Sequence, residues 1–261
     1  MNKIYPNSIS VITPVFNDFD EFFSTFESIK NQLEDGDELI IIDSSSDKNF
    51  IKDFCNSRKV KFKIQYFWYE PDGVYSAMNK GLLKCNNAFI QVLNSGDRYL
   101  PSARKLISIH LDTNPHIEIF IFDQLSGYDG EMSYRFSPTK SSLWPHQSSL
   151  VHYNIYQKLG FYNESFDIIS DQAFFSQARK VSKYIIINEP LTYYDLNGVS
   201  SVASFRNIRE TYILWRMMNK NIIFCLAKSI SLILKGIIQA FIGTKNMAKI
   251  RNFIFSHYSK I

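Results

Sequence analysis

Four short stretches hold most of the residues whose types and spacing could do polar chemistry. They are "TPVFND" (Thr13–Asp18), "DSSSD" (Asp43–Asp47), "EPDG" (Glu70–Gly73) and "NSGD" (Asn94–Asp97). Each follows an apolar or aromatic run, and each carries an acid. Acids on neighbouring strand ends repel one another unless they bind something: a cation, or the hydrogen-bond donors of a base and a sugar. A lone carboxylate closing "AFIQVLNSGD" also suits a solvated turn, and that stretch alone leaves the two readings level. Further on, "SDQAFF" sets Asp171 where a helix begins, the place of an N-cap or of a base within reach of a hydroxyl. "WPHQSS" presents His146 and Gln147, although a lone histidine is more often a satisfied structural residue. Other chemistries lack their residues. No GxGxxG follows the first apolar run, and there is no GxxxxGK[ST], GxSxG, HExxH or CxxC. A nucleotide site built from acids plus a metal is the economical reading.

The elements that must position these residues are legible from hydropathy. "SISVITPV" (Ser8–Val15) and "DELIIIDSS" (Asp37–Ser45) are near-continuous apolar runs, as strands buried on both faces of a parallel sheet are. "FKIQYFW" (Phe62–Trp68), "AFIQVLN" (Ala88–Asn94) and "EIFIFDQ" (Glu118–Gln124) continue the series. Between them, Asp20–Gln32 carries Phe22, Phe23, Phe26 and Ile29 at helical spacing, and Val74–Lys84 carries Tyr75, Met78, Leu82 and Leu83. Alternation at this pitch predicts right-handed βαβ crossovers and an open α/β sheet, whose ligands bind beyond the carboxyl ends of its strands. "GYDGEMSYRFS" (Gly127–Ser137) reads as a hairpin turning at Asp129–Gly130, so the second half is not more of the first. Ser170–Val181 reads as a helix with Ser170 or Asp171 at its N-cap, and Lys183–Asp195 as a strand broken by Pro190. Trp68, Tyr75 and Trp144 offer sugar-stacking surfaces, though core packing is their commoner fate.

With 261 residues and ordinary apolar and charged fractions, the chain can bury a full α/β core. Its three scattered cysteines make neither a disulfide framework nor a zinc pattern, which suits a reducing compartment; a secretory signal is not expected. Charge is asymmetric. Eight of the 29 basic residues and none of the 25 acidic ones follow Glu210. A mildly acidic body with a basic tail argues against a nucleic-acid binder and for a tail that meets an anionic surface. Residues 222–242 are long enough to span a bilayer, but Lys228 and Lys235 would then lie inside it. Lys228, Ser231, Lys235 and Gln239 fall on one polar stripe of an otherwise apolar helix, which suits the membrane interface. Packing on the sheet or on a second subunit is the alternative.

Taken together, "SVITPVFND", "ELIIIDSSSD", "EPDGVYSAMNKG", "FIQVLNSGD" and "HQSSLVHYNIYQKLGFYNESFDIISDQAFF" resemble family-2 glycosyltransferases of the GT-A fold, over roughly residues 8–200. They look closest to the branch of bacterial exopolysaccharide, colanic-acid-type clusters. The resemblance implies a Rossmann-related, mostly parallel sheet flanked by helices over residues 1–205, with a basic helical tail over 206–261. It implies that Thr13, Pro14 and Val15 line the nucleotide base, that Asp43 accepts from base or ribose, and that Asp72 sits against the base beside Gly73. Asn79 and Lys80 would steady the donor. Asp97 would hold Mg²⁺ or Mn²⁺, with Ser95 and Gly96 completing that turn. Ser95 departs from the family pattern, which has an acid there. Asp171 matches the catalytic base, His146 and Gln147 fall near the acceptor side, and "NGVSS" (Asn197–Ser201) resembles a loop near the diphosphate.

The implied activity is inverting transfer of a sugar from a nucleotide-diphosphate donor, UDP-linked, to a saccharide acceptor. That acceptor would be lipid-linked, at the inner face of the cytoplasmic membrane, in bacterial surface polysaccharide synthesis. Two rivals stand beside it. One is a non-catalytic nucleotide-sugar-binding module of the same fold, for which the missing acid at 95 speaks. The other is a sugar-phosphate nucleotidyltransferase, which would need the glycine that "PVFNDFDEF" lacks.

Overall fold

The structure is a computed structural model that describes residues 7–128, 131–141, 143–196 and 204–242. The first half alternates as the apolar pattern predicts: β1 (Ile9–Val15), α1 (Phe19–Ile29), β2 (Glu38–Asp43), α2 (Phe50–Asn56), β3 (Lys63–Trp68), α3 (Val74–Leu82) and β4 (Phe89–Val92). Then come β5 (Arg98–Tyr99), α4 (Ala103–Thr113), β6 (Ile119–Tyr128), β7 (Glu131–Phe136), β8 (Ser149–His152), α5 (Tyr153–Leu159), α6 (Ser170–Val181) and β9 (Tyr184–Asp195). Two helices, α7 (Phe205–Met217) and α8 (Ile222–Ile242), complete the described chain.

One nine-stranded sheet runs β3-β2-β1-β4-β8-β6-β9-β5, with β7 paired on β6. The stretch β3-β2-β1-β4 is parallel, each step made by a helical crossover. Beyond β4 the expected parallel sheet gives way to a mixed one. β6 keeps the direction of β4 after the α4 crossover but leaves a strand-wide gap. β8 fills that gap antiparallel to both neighbours. β9 pairs parallel with β6, and β5 antiparallel with β9. The predicted hairpin forms between β6 and β7; its turn, residues 129–130, lies outside the described residues. Pro190 does not break the last strand. It falls where the β6–β9 register shifts, since a residue without an N–H cannot continue the ladder.

Side chains alternate between two helical layers. Val11, Val15, Leu39, Ile41, Phe120 and Phe122 face α1, α2 and α4, where Phe22, Phe26, Ile51 and Ile107 cover them. Ile12, Ile40, Ile42, Ile119 and Ile121 face α3, α5 and α6, under Met78, Tyr156, Phe174 and Phe175. Trp144 and Tyr75 belong to this second core, the packing role expected of them over sugar stacking. The fit between α3 and β1 is close. A Cβ at Gly81 would stand 2.4 Å from Ile12 Cγ2.

α7 starts at Phe205, one residue before the expected start of the tail. That helix is nonetheless seated on the domain, with Leu214 packed among Ile169, Ala173, Leu143 and Met218. α8 is joined to it by Trp215 against Phe224, ring centroids 5.3 Å apart.

Candidate active site

The four polar stretches lie along one edge of the sheet, where β1 to β4 end. On β1, Thr13 is fully buried and its Oγ1 has no hydrogen-bond partner among the described residues. Pro14 and Val15 pair with Ile42 and Asp43 of β2, bringing the two strand ends level. The turns beyond are laced: Asn17 N donates to Ser45 Oγ at 2.8 Å, and Ser46 N to Asn17 Oδ1 at 2.9 Å. Asp43 is fully buried, its Oδ1 accepting from Ser45 N at 2.8 Å and its Oδ2 from Tyr66 Oη at 2.9 Å. Its place at the rim matches the expectation; both oxygens, however, already have internal donors. Asp72 is exposed, and Gly73 beside it adopts φ +87°, a conformation that only glycine takes cheaply.

Asp97 is a second buried acid of the rim, 2% exposed. The turn that carries it is pinned to α1, with Gly96 N donating to Thr25 Oγ1 at 2.9 Å and Asp97 N to Asn94 O at 3.0 Å. Ser95, where an acid was expected, donates to Asp18 O at 3.3 Å. Asp97 Oδ1 accepts from Asp195 N at 3.3 Å, while Oδ2 is buried with no partner among the described residues. Burial pushes the Asp97 carboxyl up to about 7, against the pull of His146 and of the Asp195 amide. A buried carboxylate oxygen without a donor has the chemistry of a hard-cation ligand. Asp97 therefore fits a divalent ion as a single protein carboxylate, with phosphate and water to supply the remaining ligands. No cluster of three acidic, histidine or cysteine groups that could hold an ion occurs among the described residues.

Asp171 and His146, read separately from the sequence, are in contact. His146 Nδ1 and Asp171 Oδ2 are 2.8 Å apart. Tyr75 Oη donates to Asp171 Oδ1 at 2.9 Å, and Gln172 Nε2 to Oδ2 at 3.0 Å. The other imidazole nitrogen meets Asn94 Nδ2 at 3.1 Å, three residues before Asp97. Burial alone would raise the Asp171 carboxyl; the bonds and charge of His146, with Tyr75 and Gln172, hold it below the usual carboxylate range. Burial likewise opposes the imidazolium, but Asp171 and Asp97 outweigh it and raise the His146 pKa above its ordinary value. The site thus presents a carboxylate held from three sides, its pKa lowered, next to a ring whose pKa is raised and which faces the Asp97 turn.

The N-cap reading of Ser170 or Asp171 is corrected. α6 begins at Ser170 with Ile169 as its cap residue and no side-chain cap bond, so Asp171 lies inside the first turn with its oxygens committed to Tyr75, His146 and Gln172. Asn79 also differs from expectation. Its amide is spent within the fold, Nδ2 to Tyr162 O at 2.9 Å and Glu164 Oε1 at 2.7 Å, and Oδ1 from Tyr162 N at 3.0 Å. Lys80 sits 5.1 Å above the Tyr69 ring. Gln147 is buried beside His146, its carbonyl held by Gln91 Nε2 at 2.5 Å. The "NGVSS" loop lies outside the described residues. Sequence reasoning gave no role to Asn94, Gln172 or Asp195; Asn94 and Asp195 make their contacts across 52 and 98 residues, with no spacing to betray them.

The chain matches the profile of Glycosyl transferase family 2 over residues 10–179, a span that takes in every one of these contacts except Asp195. It belongs to glycosyltransferase family 2. Among relatives of this transferase, an uncharacterized glycosyltransferase of Mycobacterium tuberculosis, MT1564, is 30% identical over 207 residues, covering 74% of this chain and 77% of that one. The uncharacterized glycosyltransferase RT0329 of Rickettsia typhi is 24% identical over 92% of this chain and 79% of its own. Among solved structures, Staphylococcus aureus TarS 1–349 in complex with UDP-GlcNAc superposes with a TM-score of 0.64 at 14% identity, covering 81% of this chain and 65% of that chain. The transferase thus spans slightly less than two thirds of the TarS fragment. The mannosyltransferase PcManGT of Pyrobaculum calidifontis, in complex with GDP-Man and Mn²⁺, gives 0.56 at 11% identity over 97% of this chain and 88% of its own. At such identities these structures establish the fold of the transferase, which is GT-A-like.

Proposed function

We propose that this glycosyltransferase is an inverting enzyme that moves a sugar from a UDP-sugar to a saccharide hydroxyl. The observation that carries the reading is the ionised Asp171, fixed by His146 and Tyr75, on the same rim as the donor-less oxygen of Asp97. In a direct displacement the acceptor oxygen forms a bond to the anomeric carbon as the bond to the diphosphate oxygen breaks. The leaving diphosphate keeps the electron pair, and the acceptor proton passes to Asp171. His146, bonded to Asp171 and drawn towards its protonated form by Asp171 and Asp97, steadies the carboxylate. Asp97 would hold Mg²⁺ or Mn²⁺, which when bound supplies Lewis-acid neutralisation of the diphosphate. Support for the donor class comes from TarS, bound to UDP-GlcNAc, and for a divalent ion from PcManGT, bound to GDP-Man and Mn²⁺.

Product anomer analysis with a panel of UDP-sugars tests the mechanism: inversion is expected, and retention would overturn it. Asp171→Asn should lower kcat by on the order of a thousandfold. Full activity in that variant would favour the binding-module alternative or another base.

The acceptor is read as lipid-linked, in surface polysaccharide assembly, because of α8. Ile223, Leu226, Ile230, Leu234, Ile237 and Phe241 share one exposed apolar face, and the chain beyond Glu210 is wholly basic in its charges. None of the described helices is long and apolar enough to cross a membrane. Deleting residues 221–261 should release the protein from anionic vesicles in a flotation assay; unchanged flotation would make the tail a packing element.

A further inference from the structure

The start of α6 is held by an acid from outside the helix. A helix start leaves N–H groups without intrahelical acceptors and carries a partial positive charge. At this one, Asp171 is turned away to Tyr75 and His146, and Ile169 has no polar side chain to give. Glu210 of α7 instead binds the amides that lead into the helix, reaching the cap residue Ile169 and the two residues before it. Its Oε1 accepts from Asp167 N at 3.1 Å, and its Oε2 from Ile168 N at 2.9 Å and Ile169 N at 3.3 Å. Glu210 is 5% exposed and lies 39 positions beyond Asp171.

The same peptide segment is gripped from its other side. Ile168 O accepts from Tyr75 Oη at 2.8 Å, and that hydroxyl also reaches Asp171 Oδ1. One end of Ile168 is thus fixed by α7 and the other by the tyrosine that touches the carboxylate. Arg206 at the start of α7 pairs with Asp167, and Leu214 packs on Ile169 and Ala173.

We infer that Glu210 is a positioning residue for Asp171: by binding the amides of residues 167–169 that lead into α6, it fixes the peptide that Tyr75 grips from its other side, and so holds Asp171 in place against Tyr75 and His146. A capping box uses an acid of the helix itself, which would tie that acid to the backbone. Here the segment entering α6 is held by an acid from α7, and both Asp171 oxygens are bonded to Tyr75, His146 and Gln172. The inference rests on Asp171 as the base where it concerns rate, but its geometric content does not.

The test compares Glu210→Gln and Glu210→Asp with the parent in the full chain. Glutamine keeps the shape but brings an NH₂ against backbone donors; aspartate keeps the charge on a shorter arm. In Glu210→Gln, kcat should fall at least tenfold with the Kd for UDP unchanged within about twofold, and the acidic limb of the kcat profile should move to higher pH as Asp171 loses its donors. Glu210→Asp should recover part of kcat. Independently of activity, the His146 ring titration followed by NMR, assigned with His146→Gln, should move down by about one pH unit in Glu210→Gln as its partner disengages. A lowered Tm with kcat per folded molecule, pH profile and His146 titration all unchanged would reduce Glu210 to a structural cap and overturn the inference. If Asp171→Asn proved fully active, the base reading would fall alone, and the His146 titration would still decide the positioning role.

Discussion

The two edges of the sheet treat the same kind of side chain in opposite ways. At the amino end of β2, Asp37 and Glu38 are buried with every oxygen doubly satisfied. Asp37 receives Ile9 N, Glu34 N and a two-point contact from Arg104 at 2.7 and 3.0 Å. Glu38 receives Ser10 Oγ, Gln65 Nε2 and both nitrogens of Asn86, all within 2.9 Å. At the carboxyl end, Asp97 is just as buried but has an oxygen with no donor among the described residues, and Thr13 has a hydroxyl in the same state. A folded chain that satisfies eight acceptor positions at one edge is able to do so at the other. We read the incompleteness at Asp97 and Thr13 as the mark of a ligand site, and the complete edge as architecture.

The largest effect expected from breaking this contrast is functional. Asp97→Asn should cost activity on the order of a hundred- to a thousandfold, comparable to loss of a transition-state charge partner. The same variant should raise Tm, because it removes a carboxyl that the fold would rather keep neutral. The sign follows from linkage. With the folded pKa raised to about 7 from 3.8, the folded state loses stability as pH rises between those values, so the variant gains most at neutral pH and nothing below about pH 4. Calorimetry across pH checks it; a lowered Tm at pH 8 would place Asp97 with the architectural acids. Asp37→Asn should do the reverse. It strands Arg104 and should cost about 3–5 kcal/mol by urea melts, with kcat per folded molecule unchanged.

The smallest effect sharpens the comparison inside the rim. His146 is raised and Asp171 lowered by each other against the penalty of burial, so their pairing adds stability between the two ordinary pKa values. It is fully present below 6.5 for the histidine and above 3.8 for the aspartate, and fades as pH moves beyond either folded value. The stability gap between the parent and His146→Gln should therefore be widest near pH 5 and narrow in the alkaline range, by at most about 1.4 kcal/mol per pH unit. A gap that does not change with pH would mean the ring is held neutral.

How far the residues themselves foretold this can be read from "DELIIID". The apolar run announces a strand buried on both faces, and β2 is one. Acids stand at both ends of it, and no local signal says that Asp37 and Glu38 are architecture while Asp43 belongs to the rim. Direction along the sheet makes that distinction, and it is a property of the whole topology. Asp97, His146 and Asp171 were each legible by type and place, but not their connection, because Tyr75 reaches Asp171 across 96 positions. The four-residue β8 was invisible for another reason: so short a run has no period to measure, and its direction depends on the gap left between β4 and β6. Glu210 looked like the last acid before a basic tail, when its three backbone partners lie 41 to 43 residues upstream.

The contact between Gly81 and Ile12 gives the rim a fixed height. With so little clearance between helix and strand, the missing side chain of Gly81 is what lets α3 lie close on β1. A methyl at position 81 would act as a wedge under the helix that carries Tyr75, while leaving every polar group of the rim chemically intact.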